Sequence, residues 1–197
     1  MNFLAHAYLS FNEPEILVGN MISDFVKGKK KLDYPPGIQT GIQIHRNIDE
    51  FTDTHEATKR AMIVYKPAYR LYSAAFVDVS FDYFLANDKS IFSDASLFDF
   101  SQHVYATLDR YIDQLPGPFK MMFPYMRSNN WLYNYRTKYG MERSFGGIVR
   151  RSKYLEESDT AFQIFNNNIP YLQECYNVFF PQLESYAKTL AHGTSNN

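Results

Sequence analysis

The sequence predicts an all-α protein, and three observations carry that prediction. Apolar residues recur at helical spacing along most of the chain, period-2 alternation bounded by hairpin signals is scarce, and the Pro, Gly and Asn clusters separate helical stretches. A first helix is expected over about residues 2–10. Asn12 and Pro14 mark the start of a second, over about 14–26, because proline suits a first helical turn where its missing N–H is no loss. Gly28 and the run Lys29, Lys30 and Lys31 end it, and Pro35-Pro36-Gly37 forms a turn. A third helix runs from about 38 to 47 or beyond, and Asp53 with Glu56, at capping-box spacing, signals a break or a new helix start. A helix over about 67–86 follows, then one over about 97–115 that Pro116-Gly117-Pro118 closes. The remainder alternates helical patterns with turns at Gly146-Gly147 and Asn166-Asn167-Asn168. No repeat or long linker divides the chain, so residues 1–191 are expected to form one compact helical domain, with 192–197 a disordered tail.

Composition narrows the function classes. A formal net charge of -1 argues against bulk electrostatic capture of nucleic acid. One cysteine, Cys175, excludes an internal disulfide and a multi-cysteine zinc site, and suits a reducing compartment. The apolar start of the chain lacks a basic n-region, and no segment offers about 18 uninterrupted apolar residues, so a soluble cytoplasmic protein without a membrane span is expected. Aromatics are dense, with 16 Tyr, 17 Phe and one Trp. They read first as core filling and second as a groove for a long, partly apolar ligand.

The chemistry shows as acids where hydrocarbon is expected. On a helical wheel at about 100° per residue, Leu71, Ala74, Ala75, Phe81 and Leu85 share one face, and Asp78 and Asp82 fall in its middle. Two carboxylates four residues apart repel, and on a buried stripe each also loses hydration, so a cation, most economically a divalent metal, is expected between them. The third helix repeats the anomaly: His45 and Asp49 stand at i,i+4 on a face with Ile38, Ile42 and Ile48. That pair can share a metal, or form a structural hydrogen bond. His6 lies among Phe3, Leu4, Ala5, Tyr8 and Leu9, and Asp24 near the end of the second helix faces an unfavourable macrodipole. Oxygen-rich ligation with one or two imidazoles suits Mn²⁺, Mg²⁺ or Fe²⁺, and such sites activate water and clamp phosphoryl oxygens.

At these same residues the chain resembles the acyl carrier protein phosphodiesterases. The likeness starts with Asn2-Phe3-Leu4-Ala5-His6 and continues through Gly19-Asn20, Asp24-Phe25-Val26-Lys27-Gly28 and Gly41-Ile42. It goes on at His45-Arg46-Asn47-Ile48-Asp49 with Thr52-Asp53, and at Asp78-Val79-Ser80-Phe81-Asp82-Tyr83-Phe84-Leu85. Looser matches follow at Asn130-Trp131-Leu132, Tyr135-Arg136 and Gly147-Ile148-Val149-Arg150-Arg151. The resemblance implies a helical fold distantly related to the HD-domain metallophosphohydrolases. It further implies hydrolysis of 4′-phosphopantetheine from holo-acyl carrier protein to leave apo-carrier protein, in the context of fatty acid biosynthesis, with Mn²⁺ the favoured activator.

Carried over by position, His45, Asp24 and Asp78 would be metal ligands. Asp49 and Asp82 would be ligands, orienters or the general base, and His6 a ligand or proton carrier. Arg46 or Lys27 would stabilise charge on the phosphoryl oxygens. Lys29, Lys30 and Lys31, and Arg150, Arg151 and Lys153, form basic clusters that read as solvated turns or as docking sites for an acidic carrier protein. Two rivals remain at this level: an HD-like nucleotide phosphohydrolase acting on a guanosine polyphosphate, and a non-catalytic helical adaptor for an acidic partner.

Overall fold

A computed structural model of the protein describes residues 1–193. Among the described residues there is no strand, and the all-α expectation holds. The helices are α1 (Phe3–Tyr8), α2 (Pro14–Ile22), α3 (Pro36–Thr54), α4 (Glu56–Tyr69), α5 (Ser73–Asn87), α6 (Asp94–Arg110), α7 (Gly117–Ser128), α8 (Trp131–Asn134), α9 (Lys138–Arg151), α10 (Asp159–Asn167) and α11 (Ile169–Gly193). No helix among the described residues is long and apolar enough to cross a membrane. Residues 194–197 of the expected tail lie outside the described residues, and α11 runs through 192–193.

Prolines open α2 and α3 as expected, at Pro14 and Pro36. Several boundaries differ for local reasons. Helix α2 stops at Ile22, and a 3-10 turn over Ser23–Phe25 carries Asp24. Asp53 stays inside α3; the cap of α4 is His55, whose Nδ1 accepts from the Ala57 N–H at 3.1 Å. Pro67 sits in the last turn of α4 rather than opening a helix. The break comes at Arg70, whose φ of 47° lies in the left-handed region, and a 3-10 turn over Arg70–Tyr72 then leads into α5. Leu71 in that turn is 95% exposed, so it does not belong to the apolar face assigned to it. Gly146 and Gly147 are helical, within α9, rather than a turn. Helix α6 is bounded by a Ser93–Ser96 capping box and ends at Arg110, short of Leu115.

Most of the aromatics fill the core. Tyr65, Tyr69, Phe76 and Phe145 pack edge-on and stacked between α4, α5 and α9, and Phe84, Phe165 and Tyr176 continue the cluster toward α10 and α11. Helix α5 is therefore buried on nearly every side, including Ser80, whose hydroxyl donates to the Phe76 carbonyl at 2.7 Å and meets the Tyr65 hydroxyl at 2.9 Å.

Two contacts position the polar centre. The first is the crossing of α2 and α3, where Gly19 and Gly41 meet backbone to backbone. A Cβ on Gly19 would lie 2.7 Å from the Ile42 nitrogen, and one on Gly41 would lie 2.9 Å from the Gly19 Cα. The second is the anchoring of α1. A buried helix start cannot hand its free N–H groups to water, so side chains must take them. Asn2 Oδ1 accepts from the Phe3 N–H at 3.0 Å, and the two Asp82 oxygens accept from Leu4 at 2.8 Å and Ala5 at 3.3 Å.

The Gly19–Gly41 contact gives a direct test. Gly41→Ala removes helix-destabilising glycine freedom but forces two backbones apart, and overpacking of this kind costs about 1–3 kcal/mol. Denaturant unfolding of this variant is expected to show a lower midpoint with an unchanged slope. An unchanged or higher midpoint would show that the two helices are free to separate.

Candidate metal centre

The polar residues converge at the N-terminal side of the core. His6 comes from α1, Asn20 from α2, His45 and Asp49 from α3, and Asp78 and Asp82 from α5. The i,i+4 spacing on α3 places the His45 Nε2 3.1 Å from Asp49 Oδ2, and the same nitrogen lies 3.2 Å from Asp24 Oδ1. The other Asp49 oxygen is 3.2 Å from His6 Nε2. The two imidazole rings stack with centroids 3.8 Å apart and planes 15° apart, so their Nε2 edges lie side by side. Both rings are buried, Asp49 is half-buried, and Asp24 is open to solvent.

Asn20, wholly buried, orients both rings. His45 Nδ1 lies 2.7 Å from the Asn20 carbonyl oxygen, which can only accept, so the proton is on Nδ1 and Nε2 faces the acids. This carbonyl belongs to the last turn of α2, where no intrahelical partner is available. His6 Nδ1 lies 3.3 Å from Asn20 Oδ1. The orientation of that amide follows from its other end: the Ser10 hydroxyl gives its proton to the His6 carbonyl at 2.8 Å, so it must accept from Asn20 Nδ2 at 3.0 Å. Oδ1 is thus an acceptor toward His6, Nδ1 carries the proton, and His6 Nε2 presents a bare lone pair. That nitrogen is buried and makes no hydrogen bond.

A lone pair facing a carboxylate oxygen at 3.2 Å with no proton between them is repulsive unless a cation intervenes. His6 Nε2, His45 Nε2 and an Asp49 oxygen all lie within 4.8 Å of one another. With bonds near 2.1 Å, adjacent ligand atoms of one cation stand about 3 Å apart, so the donor set fits a divalent metal. Two imidazoles and one carboxylate favour Mn²⁺ or Fe²⁺ over Mg²⁺, which prefers an all-oxygen shell.

The protonation states agree with this geometry. Burial, reinforced by the neighbouring His45 charge, pushes His6 down to about 4. Burial would also depress His45, but the Asp24 and Asp49 carboxylates at its Nε2 outweigh that and raise it to about 9. Burial pushes Asp49 upward, yet His45 and His6 outweigh it and hold the carboxylate well below its ordinary range. Asp24 is lowered by its hydrogen bond to His45.

The structure gives the two α5 acids different partners. Asp78 pairs with the Met1 ammonium at 3.1 Å, and the same ammonium lies 3.6 Å from Asp49. A cation does sit against Asp78, then, and it bridges to Asp49 rather than to Asp82. Asp82 is wholly buried with both oxygens engaged by α1 amides, and burial nevertheless raises it to about 7. Burial also raises Asp78, against the pull of the ammonium. Both acids fasten the N-terminal segment to α5, and that segment carries His6.

The remaining candidates lie further out. Arg46 Nη2 donates to the Val26 carbonyl at 2.9 Å, tying α3 to the loop that bears the exposed Lys27. Lys29, Lys30 and Lys31 lie on a 3-10 segment, Gly28–Asp33, where Lys31 reaches Gln43 at 2.8 Å. Arg150 and Arg151 are not beside those lysines; they border a separate cavity at the end of α9. Asn20 and Ser10 carry no weight in a search for charged groups. Their signal is the placement of a polar amide and hydroxyl in apolar helical stretches and, for Asn20, its place in the Gly19-Asn20 match to the family.

The sequence profile of the family described as acyl carrier protein phosphodiesterase matches residues 1–183. Curated relatives described as acyl carrier protein phosphodiesterase are similar over nearly the whole chain. One from Yersinia pestis is 30% identical over 95% of this chain and 98% of its own length. One from Klebsiella pneumoniae subsp. pneumoniae is 31% identical over the same shares. No solved structure matches, so the HD-domain relation gains no support from that comparison.

The His45 proton makes metal binding depend on pH. Below a pKa of about 9 the metal-free site holds that proton, and a metal must displace it. Affinity for Mn²⁺ is therefore expected to rise about tenfold per pH unit from neutrality toward pH 9, with about one proton released per ion. Calorimetric titration in buffers of different ionisation enthalpy measures both quantities. A pH-independent affinity without proton release would place the ion away from His45.

Proposed function

The chain belongs to the acyl carrier protein phosphodiesterase family, and we propose that it hydrolyses the phosphodiester joining 4′-phosphopantetheine to a serine of holo-acyl carrier protein, with a divalent metal, releasing apo-carrier protein. The observation that carries this reading is the triad His6, His45 and Asp49, whose ligand atoms lie within 4.8 Å of one another in a chain of that family. A divalent ion held there, Mn²⁺ in preference to Mg²⁺ or Fe²⁺, would supply the Lewis acidity that activates water and neutralises phosphoryl charge.

The chain's own groups supply the rest. His6 and His45 bind through Nε2, because Asn20 keeps both Nδ1 atoms protonated. His6 thus has one free nitrogen and serves as a ligand rather than as a proton carrier. Asp24 Oδ1 stands at the solvent side of the His45 Nε2, where it can complete the ligand set or orient the attacking water. Asp78 is partly exposed and has a raised pKa, so it is better placed than the buried, doubly engaged Asp82 to take a proton from that water. Lys27, exposed three residues after Asp24, can meet the phosphoryl oxygens. The exposed lysines Lys29 and Lys30 with Lys31 offer a positive face to the acidic carrier protein.

Incubation with holo-carrier protein, followed by intact mass, tests the reading. The wild type with Mn²⁺ is expected to remove the phosphopantetheine mass, whereas His45→Ala and Asp49→Ala are not. Asn20→Ala should lower metal affinity about 10–100-fold while leaving all three ligands in place, because loss of an orienting partner has effects of that size. Retention of the phosphopantetheine mass under every divalent metal would overturn the proposed activity. Unchanged metal affinity in Asn20→Ala would overturn the role of its side chain in orienting His6; the main-chain bond to His45 survives this substitution.

A further inference from the structure

A cavity of about 390 Å³ opens beside the N-terminal segment, within the size range of small-molecule sites. Asn2 and Phe3 form one wall, directly after Met1, whose ammonium touches Asp78 and Asp49. Trp131 and Tyr135, from α8 and its end, form the apolar side. Helix α9 supplies Arg143, Arg150 and Arg151.

The arginines are arranged to be available. Among the described residues, neither Arg150 nor Arg151 has an acidic partner, although both are exposed. Their side chains lie back over α9 where Gly146 and Gly147 leave no Cβ: one built on Gly147 would stand 3.4 Å from Arg151 Nη1, and one on Gly146 would stand 3.4 Å from Arg150 Nη1. Guanidiniums held this way over an aromatic-walled cavity suit an anionic group on an otherwise apolar or amide-bearing ligand. Buried Tyr135 on the cavity wall feels the charges of both Asp82 and Arg151.

We propose that this cavity receives the phosphopantetheine arm itself. In this assignment Arg150 and Arg151 hold non-bridging oxygens of the phosphodiester. Trp131, Tyr135 and Phe3 pack the dimethyl and amide portions. The assignment rests on the proposed function, and it moves Arg150 and Arg151 from docking the carrier protein's acidic surface to gripping its prosthetic group.

Trp131 is the one tryptophan of the chain, so its fluorescence reports the cavity directly. Titration of metal-free protein with 4′-phosphopantetheine is expected to give a saturable change. Binding should weaken about tenfold or more in an Arg150→Ala/Arg151→Ala variant, and partial recovery is expected with lysine at both positions, since bidentate contacts are lost but charge is kept. Pantetheine without the phosphate should bind as weakly as the arginine variant does. No saturable response in the wild type, or equal affinity in the arginine variant, overturns the assignment. A parallel mass assay on holo-carrier protein separates the two proposals. Turnover with a silent Trp131 removes the cavity and keeps the catalytic reading; an arginine-dependent Trp131 response without hydrolysis under any divalent metal removes the catalytic reading and keeps the cavity's ligand.

Discussion

Asn20 makes two hydrogen bonds on which the whole polar centre depends. Its main-chain carbonyl, left over at the end of α2, fixes one imidazole, and its side-chain carbonyl fixes the other. The first of these spans the crossing of α2 and α3, where the backbone contact of Gly19 with Gly41 lets α2 approach closely enough to reach His45. Ser10 completes the arrangement by fixing which way the Asn20 amide faces. The crossing thus brings α2 to His45, and the two Asn20 bonds turn both Nε2 atoms toward the Asp49 carboxylate.

Much of this was legible in the sequence, but unevenly. The helical class follows from periodicity, and His45 with Asp49 follows from i,i+4 spacing, because both depend only on local geometry. Asp78 and Asp82 were visible as acids on an apolar helix, but their partners were not. One belongs to the Met1 ammonium and the other to the amides of α1, contacts that join residues nearly eighty positions apart. A wheel drawn for α5 alone cannot supply them. The same limit hides Arg70: a positive φ at a non-glycine residue ends α4 after Pro67, where a sequence reader expects the proline itself to mark the boundary. Asn20 escaped as a site residue because a neutral amide carries no electrostatic signature.

Charge is layered across the molecule. The acids and imidazoles lie inward around α1, α3 and α5, while the lysines of the segment after α2 and the arginines of α9 lie at the exposed edge. Burial keeps the inner acids and His6 from taking their ordinary protonation states, so the centre stores unfavourable electrostatics rather than relieving them. A protein that needed only to pack α1 against α5 could have used hydrocarbon there. The two stacked histidines against a carboxylate form the donor set on which the proposed metal binding rests.

The central claim is that His6, His45 and Asp49 hold one divalent ion through atoms that Asn20 has oriented. Crystals grown with Mn²⁺ and measured at the manganese absorption edge test it most directly. An anomalous peak is expected about 2.1–2.3 Å from both Nε2 atoms and from an Asp49 oxygen, with each Nδ1 still on Asn20. A peak on Asp78 and Asp82, or none beside the stacked imidazoles, would contradict it.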